Sequence, residues 1–266
     1  MNPIRLVDTH LVSEHEARPR IPGRYWASDA GDCKRKLYYL YTDQELTDPL
    51  DAHTLRKFAY GNKVEEQEIE WFYESGQAID DHVKINKPNP ESPSTTIAGE
   101  IDVLMREVVD DEIHNYIVEI KTGYGHHFKN KALVGRPNPK HLLQGMLYLD
   151  MSEINDLMFV YIDRGTCDRR EHHLTLENGY PVVNGQQLAG PHISTLYKVF
   201  ALLHKMVKNH MLPPPDFKQE YDEDDIRTLR HAGKLTSAQL NKWKNGESVG
   251  DWECQGCVFR SLCADS

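Results

Sequence analysis

Three ionisable residues on two short, β-prone segments could together bind a divalent metal ion and act on a phosphate group. Asp102 lies in GEIDVL (99–104), and Glu119 and Lys121 lie in IVEIKT (117–122). Because side chains alternate along a strand, those of Glu119 and Lys121 should point to the same face of the sheet. A short hairpin between the two segments would bring Asp102 beside Glu119, since adjacent strands lie about 4.8 Å apart.

Two carboxylates at that distance repel each other unless a positive charge lies between them. Mg²⁺ or Mn²⁺, which prefer oxygen ligands, would supply that charge. The ammonium of Lys121 could then stabilise phosphoryl charge or orient an attacking water. The alternative is a surface strand with a salt bridge from Lys121 to Asp102 or Glu119. Val118 and Ile120 alternate with the charged residues in a run that is typical of a buried strand, and this favours the metal site.

The order of Asp102 and then Glu119-Ile120-Lys121 resembles the G-x-x-D and (D/E)-x-K motifs of the PD-(D/E)xK nuclease superfamily, in particular its RecB-type branch. The resemblance implies that Asp102 and Glu119 bind the metal ion together with the main-chain carbonyl of Ile120. It also implies that Lys121 assists the attacking water. These three side chains are therefore the predicted catalytic residues.

Gln144 and Tyr148 resemble the third motif of that branch, Q-x-x-x-Y. At a spacing of four they share one face of a helix, and the resemblance implies that they shape the site and contact nucleic acid. The alternative is a polar pair on a surface helix. The first motif of the family is a helical His ligand, and here Glu65 stands in its place. We expect Glu65 to face the core as a further metal ligand; the alternative is a solvated acidic face, which we expect for Glu66, Glu68 and Glu70.

The cysteines provide a second candidate site. Three of them, Cys254, Cys257 and Cys263, form C-x₂-C-x₅-C near the end of the chain, and such a group needs one more ligand to complete a metal site. With Cys33 the pattern resembles AddB-type recombination subunits and the CRISPR-associated Cas-four exonuclease family. The resemblance implies a four-iron four-sulfur cluster on these four thiols and leaves Cys167 unused. Zinc or unligated thiols are the alternatives.

The net charge of −10 would at first disfavour nucleic acid as a partner. The charge is unevenly distributed, however, because no acidic residue lies between Glu119 and Asp150. Phosphate contacts need local positive charge only. We therefore expect nucleic-acid contacts from the basic side chains of this window, with solvated basic faces as the alternative. They are Lys129, Lys131, Arg136 and Lys140.

The elements that position these residues follow a mixed α/β order. Residues 1–25 are expected to be irregular. Hydrophobic periodicity and turn signals predict the remaining elements. The predicted helices are 29–41, 54–75, 139–152 and 193–211, and the predicted strands are 78–87, 95–109, 115–122, 156–164 and 170–177.

The resemblance implies a restriction-endonuclease-like fold, with a mixed central sheet flanked by helices and with the two ends joined at the iron–sulfur cluster. We expect a single domain over residues 1–266. Its nuclease core would span about 54–212, and its cluster-bearing ends would be about 28–41 and 250–263.

Composition limits the class of protein. The 266 residues are 39% hydrophobic, as in ordinary globular chains, and no apolar run is long enough to span a membrane. The N-terminal residues lack the apolar core of a secretion signal. The sequence is thus expected to belong to a cytoplasmic protein without a membrane partner.

The combined motifs predict a metal-dependent deoxyribonuclease, with an exonuclease on single-stranded DNA or DNA ends as the family's usual activity. The resemblance also suggests partners in CRISPR adaptation or recombination. Two alternatives stay open. One is a catalytically idle subunit that binds DNA ends or assembles a complex, which Glu65 at the first motif favours. The other is a zinc-stapled regulatory module unrelated to nucleases.

Overall fold

One mixed sheet with helices packed against it forms the protein. The computed structural model describes residues 3–15, 20–125, 128 and 135–264. The helices are α1 (Pro3–Ser13), α2 (Lys34–Tyr41), α3 (Ala52–Glu74), α4 (Pro139–Ser152), α5 (Ile193–Lys208), α6 (Glu223–His231), α7 (Ser237–Lys244), α8 (Trp252–Gln255) and α9 (Arg260–Ala264). The strands are β1 (Arg24–Trp26), β2 (Ala78–Asn89), β3 (Ser92–Val109), β4 (Glu112–Gly123), β5 (Leu157–Asp163), β6 (Arg169–Glu177), β7 (Tyr180–Val183) and β8 (Gln186–Gln187).

The sheet has eight strands in the order β1-β3-β4-β5-β6-β7-β8, and β2 also pairs with β3. β1 is parallel to β3 and β4 is parallel to β5, whereas the other pairs are antiparallel. Parallel neighbours need a crossover connection, and α4 lies in the connection between β4 and β5. The predicted mixed central sheet flanked by helices is therefore confirmed.

The core lies on both sides of the sheet. The larger cluster of buried residues joins α4 and α5 to the strands, while Ile69 of α3 packs against Val118 and Ile120 on a second cluster. Helix α4 lies very close to β5. A Cβ built on Gly145 would be only 2.6 Å from the Phe159 ring, so only glycine fits there. The sheet and α4 thus form a rigid base for the residues at their junction.

Strands β3 and β4 form a hairpin and then separate. Their connection is the Asp110-Asp111 turn, in which both residues have positive φ, as a tight hairpin turn requires. The paired register runs from Val109 opposite Glu112 to Val103 opposite Val118, and it stops there. Beyond this point β4 continues beside β5 only, so a fork opens between β3 and β4 at Asp102.

Two of the expectations for the N-terminal half are wrong. The described residues up to position 25 are not irregular throughout, since they include α1 and the start of β1. Helix α1 escapes pattern analysis because it buries no side chain, and it contacts α3 through an ion pair between Asp8 and Arg56. The predicted strands 78–87 and 95–109 are also too short, because β2 reaches Asn89 and β3 starts at Ser92.

No helix in the described part of the chain is both long and apolar enough to cross a bilayer.

Candidate active site

The fork between β3 and β4 opens a cavity of about 410 Å³. All six side chains that the motif resemblance predicts for the nuclease site line this cavity. They are Glu65, Asp102, Glu119, Lys121, Gln144 and Tyr148. Residues from α3, β3, β4 and α4 therefore meet at one place, although they are far apart in the sequence.

Asp102 closes the fork at its narrow end. Its Oδ2 accepts a hydrogen bond of 2.7 Å from the backbone N–H of Ile120, which takes the place of the next rung of the strand ladder. Burial raises the pKa of Asp102, and Lys121 opposes that rise. The carboxylate is thus held beside β4, as the hairpin argument predicts.

Glu119 is 1% exposed and carries an unsatisfied oxygen. Its Oε1 accepts from Lys121 Nζ at 2.5 Å and from Gln144 Nε2 at 2.8 Å. Its Oε2 is buried and has no hydrogen-bond partner among the described residues. Burial, followed by the charge of Asp102, raises the pKa of Glu119 to about 8. For Lys121, burial alone would lower the pKa, but Glu119 and Asp102 outweigh it and raise the pKa.

Gln144 and Tyr148 form a buried chain behind the carboxylates. Gln144 Nε2 donates to the Tyr148 hydroxyl at 2.8 Å, and that hydroxyl donates to the main-chain oxygen of Glu100, also at 2.8 Å. The chain fixes Glu119 against α4 and β3. It supports the expectation that this pair shapes the site, while a contact with nucleic acid stays a prediction.

Gly99 makes room for that chain. A Cβ at this position would be 2.5 Å from Tyr148 Cε1 and 3.3 Å from Met151 Cε. We expect Gly99→Ala to destabilise the protein by about 1–3 kcal/mol, because the core has no space for an added methyl group. Chemical denaturation measures this loss.

Gly123→Ala is the matched control, because a Cβ on this glycine at the end of β4 would meet no atom within 4 Å. Equal stability of Gly99→Ala and the parent protein would contradict the tight contact with Tyr148.

Glu65 on α3 faces the same cavity. Burial, followed by the charge of Asp102, raises the pKa of Glu65 to about 7. The neighbouring position corrects an expectation, because Glu68 is not part of a solvated acidic face. It is 6% exposed, and its two oxygens accept from Arg169 at 3.1 and 2.6 Å. Glu66 and Glu70 are exposed, as expected.

The cavity has the donor set of a divalent cation site. Asp102 raises the pKa of both Glu65 and Glu119, and the buried Oε2 of Glu119 has no donor within the described part of the chain. Across the described ranges, no three His, Cys, Asp or Glu side chains are already gathered closely enough to hold an ion. The excess of negative charge and the oxygen donors nevertheless fit Mg²⁺ or Mn²⁺.

The raised carboxyl pKa values predict how the metal-free protein depends on pH. Glu65 and Glu119 have an ordinary pKa of 4.5, and in the fold it is about 7 and about 8. As the pH rises from 4.5 towards these higher values, the two carboxyl groups have already lost their protons in the unfolded chain but retain them in the folded protein. Stability is therefore lost with rising pH. We expect the melting temperature in chelator to fall between pH 6.5 and pH 8.5.

Glu119→Gln should flatten most of this dependence, whereas Glu112→Gln, at an exposed position on the same strand, should not. The titration of His141 does not affect this measurement. Burial is the main cause that lowers the pKa of His141 to about 3, so this residue changes stability only below pH 6.5, its ordinary pKa. A melting temperature that is constant or rises over this range would contradict the buried carboxyl cluster.

The four predicted cluster ligands line a second cavity, of about 160 Å³. Cys33 directly precedes α2, whereas the other three lie in the tail, within or beside α8 and α9. Burial, followed by the charge of Cys33, raises the pKa of Cys254 to about 11. Arg35 Nη1 lies 3.8 Å from Cys263 Sγ. Cys167 lies elsewhere, exposed in the turn between β5 and β6.

Direct contacts also hold the tail beside the N-terminal part. Asp48 accepts from the backbone N–H and the hydroxyl of Ser261 at 2.8 and 2.9 Å. The ring of Phe259, which is fully buried, lies 5.2 Å from that of Tyr39. The two ends are therefore adjacent through protein contacts, independently of any ligand.

The outcome differs among the four basic residues that were predicted to contact nucleic acid. Lys129 and Lys131 lie outside the described residues, and Arg136 is exposed. Lys140 lies at the cysteine cavity, where it forms an ion pair with Asp32 and its Nζ is 5.6 Å from the centre of the Trp252 ring. The structure thus does not place Lys140 at the carboxylate cavity.

Pattern analysis missed other residues of the carboxylate cavity, among them Trp26, His82 and Glu100. Glu100 lies within the GEIDVL segment, so its proximity to Asp102 was the available signal. Trp26 and His82 come from β1 and β2, and only the strand register brings them to the site.

Comparisons with known proteins yield structural neighbours only. No family model matches the sequence. No curated protein matches it either. The crystal structure of SSO0001 matches with 15% identity and a TM-score of 0.57, over 99% of this chain and 96% of that chain.

Two further crystal structures are those of the alkaline exonuclease LHK-Exo from Laribacter hongkongensis and of LHK-Exo in complex with dAMP. Their identities are 12% and 13%, and their TM-scores are 0.46 and 0.43. They cover 86% and 81% of this chain, and 100% and 96% of their own chains. At these scores the two carry no argument about this protein. At 15% identity the likeness to SSO0001 concerns the fold alone. The chain therefore shares the fold of SSO0001 along nearly its whole length.

Proposed function

We propose that the protein is a metal-dependent DNA nuclease whose active site is the carboxylate cavity at the fork of β3 and β4. The observation that carries this proposal is Glu119, a buried carboxylate beside both Asp102 and Lys121, one oxygen of which has no partner in the described ranges. A purely structural ion pair would not need a second carboxylate at the same place. A cation-dependent site does.

Each side chain has a distinct role in this proposal. Asp102 and Glu119 hold the cation, together with Glu65 and the main-chain carbonyl of Ile120. When bound, Mg²⁺ or Mn²⁺ neutralises charge on the phosphate and lowers the pKa of the attacking water. Lys121 orients that water and stabilises the developing negative charge. In the proposal Lys121 exchanges its contact with Glu119 for a contact with the substrate.

Gln144 and Tyr148 act as positioning residues. Their hydrogen bonds fix one oxygen of Glu119, so its other oxygen is directed consistently. DNA as the substrate, and a preference for single strands or ends, are supported by the motif resemblance and by the stretch without acidic residues between Glu119 and Asp150. Partners in CRISPR adaptation or recombination rest on the same resemblance.

We also propose that Cys33, Cys254, Cys257 and Cys263 hold a four-iron four-sulfur cluster. The motif resemblance supports a cluster over zinc, and all four thiols line one cavity. The cluster would link the end of the chain to α2.

The decisive experiment uses the full chain purified without oxygen. End-labelled single-stranded DNA, duplex DNA and RNA are incubated with Mg²⁺ or Mn²⁺, and with chelator as the control. Circular single-stranded DNA distinguishes an exonuclease, which needs an end, from an endonuclease. We expect metal-dependent loss of the linear DNA. Absence of cleavage of every substrate with either metal would overturn the proposal.

A second candidate function is a catalytically idle subunit that binds DNA ends. Glu65, which replaces the usual histidine of the first motif, is the feature that favours it. This candidate predicts binding of DNA ends without cleavage, so the same assay with a binding measurement separates the two functions.

A further inference from the structure

His82 lies at the carboxylate cavity in an unusual backbone conformation. Its neighbours Asp81 and Val83 pair with Val103 and Ile101, so His82 is opposite Asp102 in the register of β2 and β3. Its φ is 47°, in the left-handed region, although the strand pairing continues on both sides. A non-glycine residue held in this conformation within a strand indicates a local constraint of the kind found at functional sites.

The surroundings of His82 are acidic. Its Nδ1 lies 3.5 Å from Glu100 Oε1, and its side chain is 48% exposed. Its charge also acts on Glu65 and Asp102, since it opposes the rise of both pKa values. His82 thus lies within electrostatic range of the carboxylates that would hold the cation.

Among the described residues that line this cavity, His82 is the one that offers an imidazole nitrogen. His141 of α4 is nearby in the fold but is already engaged, because its Nδ1 lies 2.9 Å from the Tyr161 hydroxyl and its ring stacks on the Tyr161 ring. With Glu100 beside Nδ1, Nε2 is the ring nitrogen of His82 that is available to a metal.

We infer that His82 is a nitrogen ligand of the divalent cation in this cavity and that it makes the site prefer Mn²⁺ over Mg²⁺. The inference rests on the proposed function. Imidazole nitrogen binds transition metals well, whereas Mg²⁺ prefers carboxylate, carbonyl and water oxygens. Glu100 beside the other ring nitrogen is placed to orient the ring, as carboxylates commonly do for metal-bound histidines.

The test is pulsed electron paramagnetic resonance of Mn²⁺ bound to the full chain, together with calorimetric titration of both metals. The wild-type spectrum should show hyperfine coupling to a ¹⁴N nucleus. His82→Asn should lose that coupling and weaken Mn²⁺ binding by about tenfold or more, while changing Mg²⁺ binding by less than about threefold. Asn is chosen because it tolerates positive φ.

Two controls locate the signal. His114→Asn removes an exposed imidazole near the other end of the sheet and should leave the coupling unchanged. Asp102→Asn should remove the bound Mn²⁺ altogether. Unchanged melting of metal-free His82→Asn relative to wild type ensures that a lost signal does not reflect unfolding.

The outcomes separate the two proposals. Coupling that is present in wild type and absent in His82→Asn supports the inference. If Mn²⁺ binds and DNA is cleaved but the ¹⁴N coupling is absent from wild type, or survives in His82→Asn, the role of His82 is overturned and the proposed function stands. If wild type neither binds Mn²⁺ nor cleaves DNA, the proposed function fails, and the inference fails with it.

Discussion

Asp102→Asn should lower DNA cleavage by at least about 100-fold while the protein stays folded. On the proposed mechanism the substitution removes a charge that holds the cation, yet the Asn side-chain oxygen can still accept the hydrogen bond from Ile120 N–H. The fork between β3 and β4 should therefore keep its shape, while the protein loses the ability to cleave DNA. Initial rates with saturating Mn²⁺ measure the first effect, and thermal unfolding measures the second.

Lys121→Met should cause a similar loss, because it removes the ammonium that we propose orients the water and stabilises phosphoryl charge. Asp110→Asn is the matched control for the aspartate. It makes the same charge change in the same hairpin, at the exposed turn where positive φ suits Asn. Near-normal cleavage by folded Asp102→Asn would refute the assignment of this cavity as the active site.

The second large effect concerns the cysteines. Replacing any one of the four cavity thiols by Ser should remove iron and the absorption near 400 nm together. Those thiols are Cys33, Cys254, Cys257 and Cys263. Cys167→Ser is the matched control, because Cys167 is exposed and lies apart from the cavity, and it should change neither property. Elemental analysis of the five proteins, purified without oxygen, measures the result.

The stability of these variants should fall as well. Ligation by Cys33 and the tail would close almost the whole chain into one loop, and on the chain-entropy model such a link is worth about 5 kcal/mol. The measured loss should be smaller, because the contacts of Asp48 with Ser261 and of Tyr39 with Phe259 remain. Zinc in place of iron would refute the cluster but keep the link between Cys33 and the tail. Full metal content in Cys33→Ser would refute the four-ligand site itself.

The sequence alone predicts most of the elements around the carboxylate cavity. Helix α4 is predicted at its observed bounds, 139–152, because its apolar residues recur at helical spacing and a proline stands at its start. The hairpin of β3 and β4 is predicted from two β-prone runs that flank a polar turn, and its register does bring Asp102 beside Glu119. Where periodicity is strong and contacts are local, residue pattern is enough.

Residues whose environment depends on distant elements could not be predicted in the same way. Glu68 resembles its exposed neighbours in sequence, yet Arg169 of β6 pairs with it and allows its burial. Lys140 belongs to a basic stretch of the sequence, but it forms an ion pair with Asp32 at the cysteine cavity. Helix α1 buries no side chain and therefore leaves no apolar stripe to detect.

The residue types and their spacing by themselves determined the mixed α/β class and the two carboxylates and lysine on adjoining strands. The grouping of Cys33 with the tail cysteines came from a family resemblance and is a proposal. Only the tertiary structure decided that β3 and β4 part at Asp102, that one oxygen of Glu119 has no partner among the residues described, and that His82 lies opposite Asp102. The reason is physical: local sequence sets backbone preference and alternation. The position at which two strands separate, and the charges that meet there, depend instead on how the helices and the remaining strands pack around them.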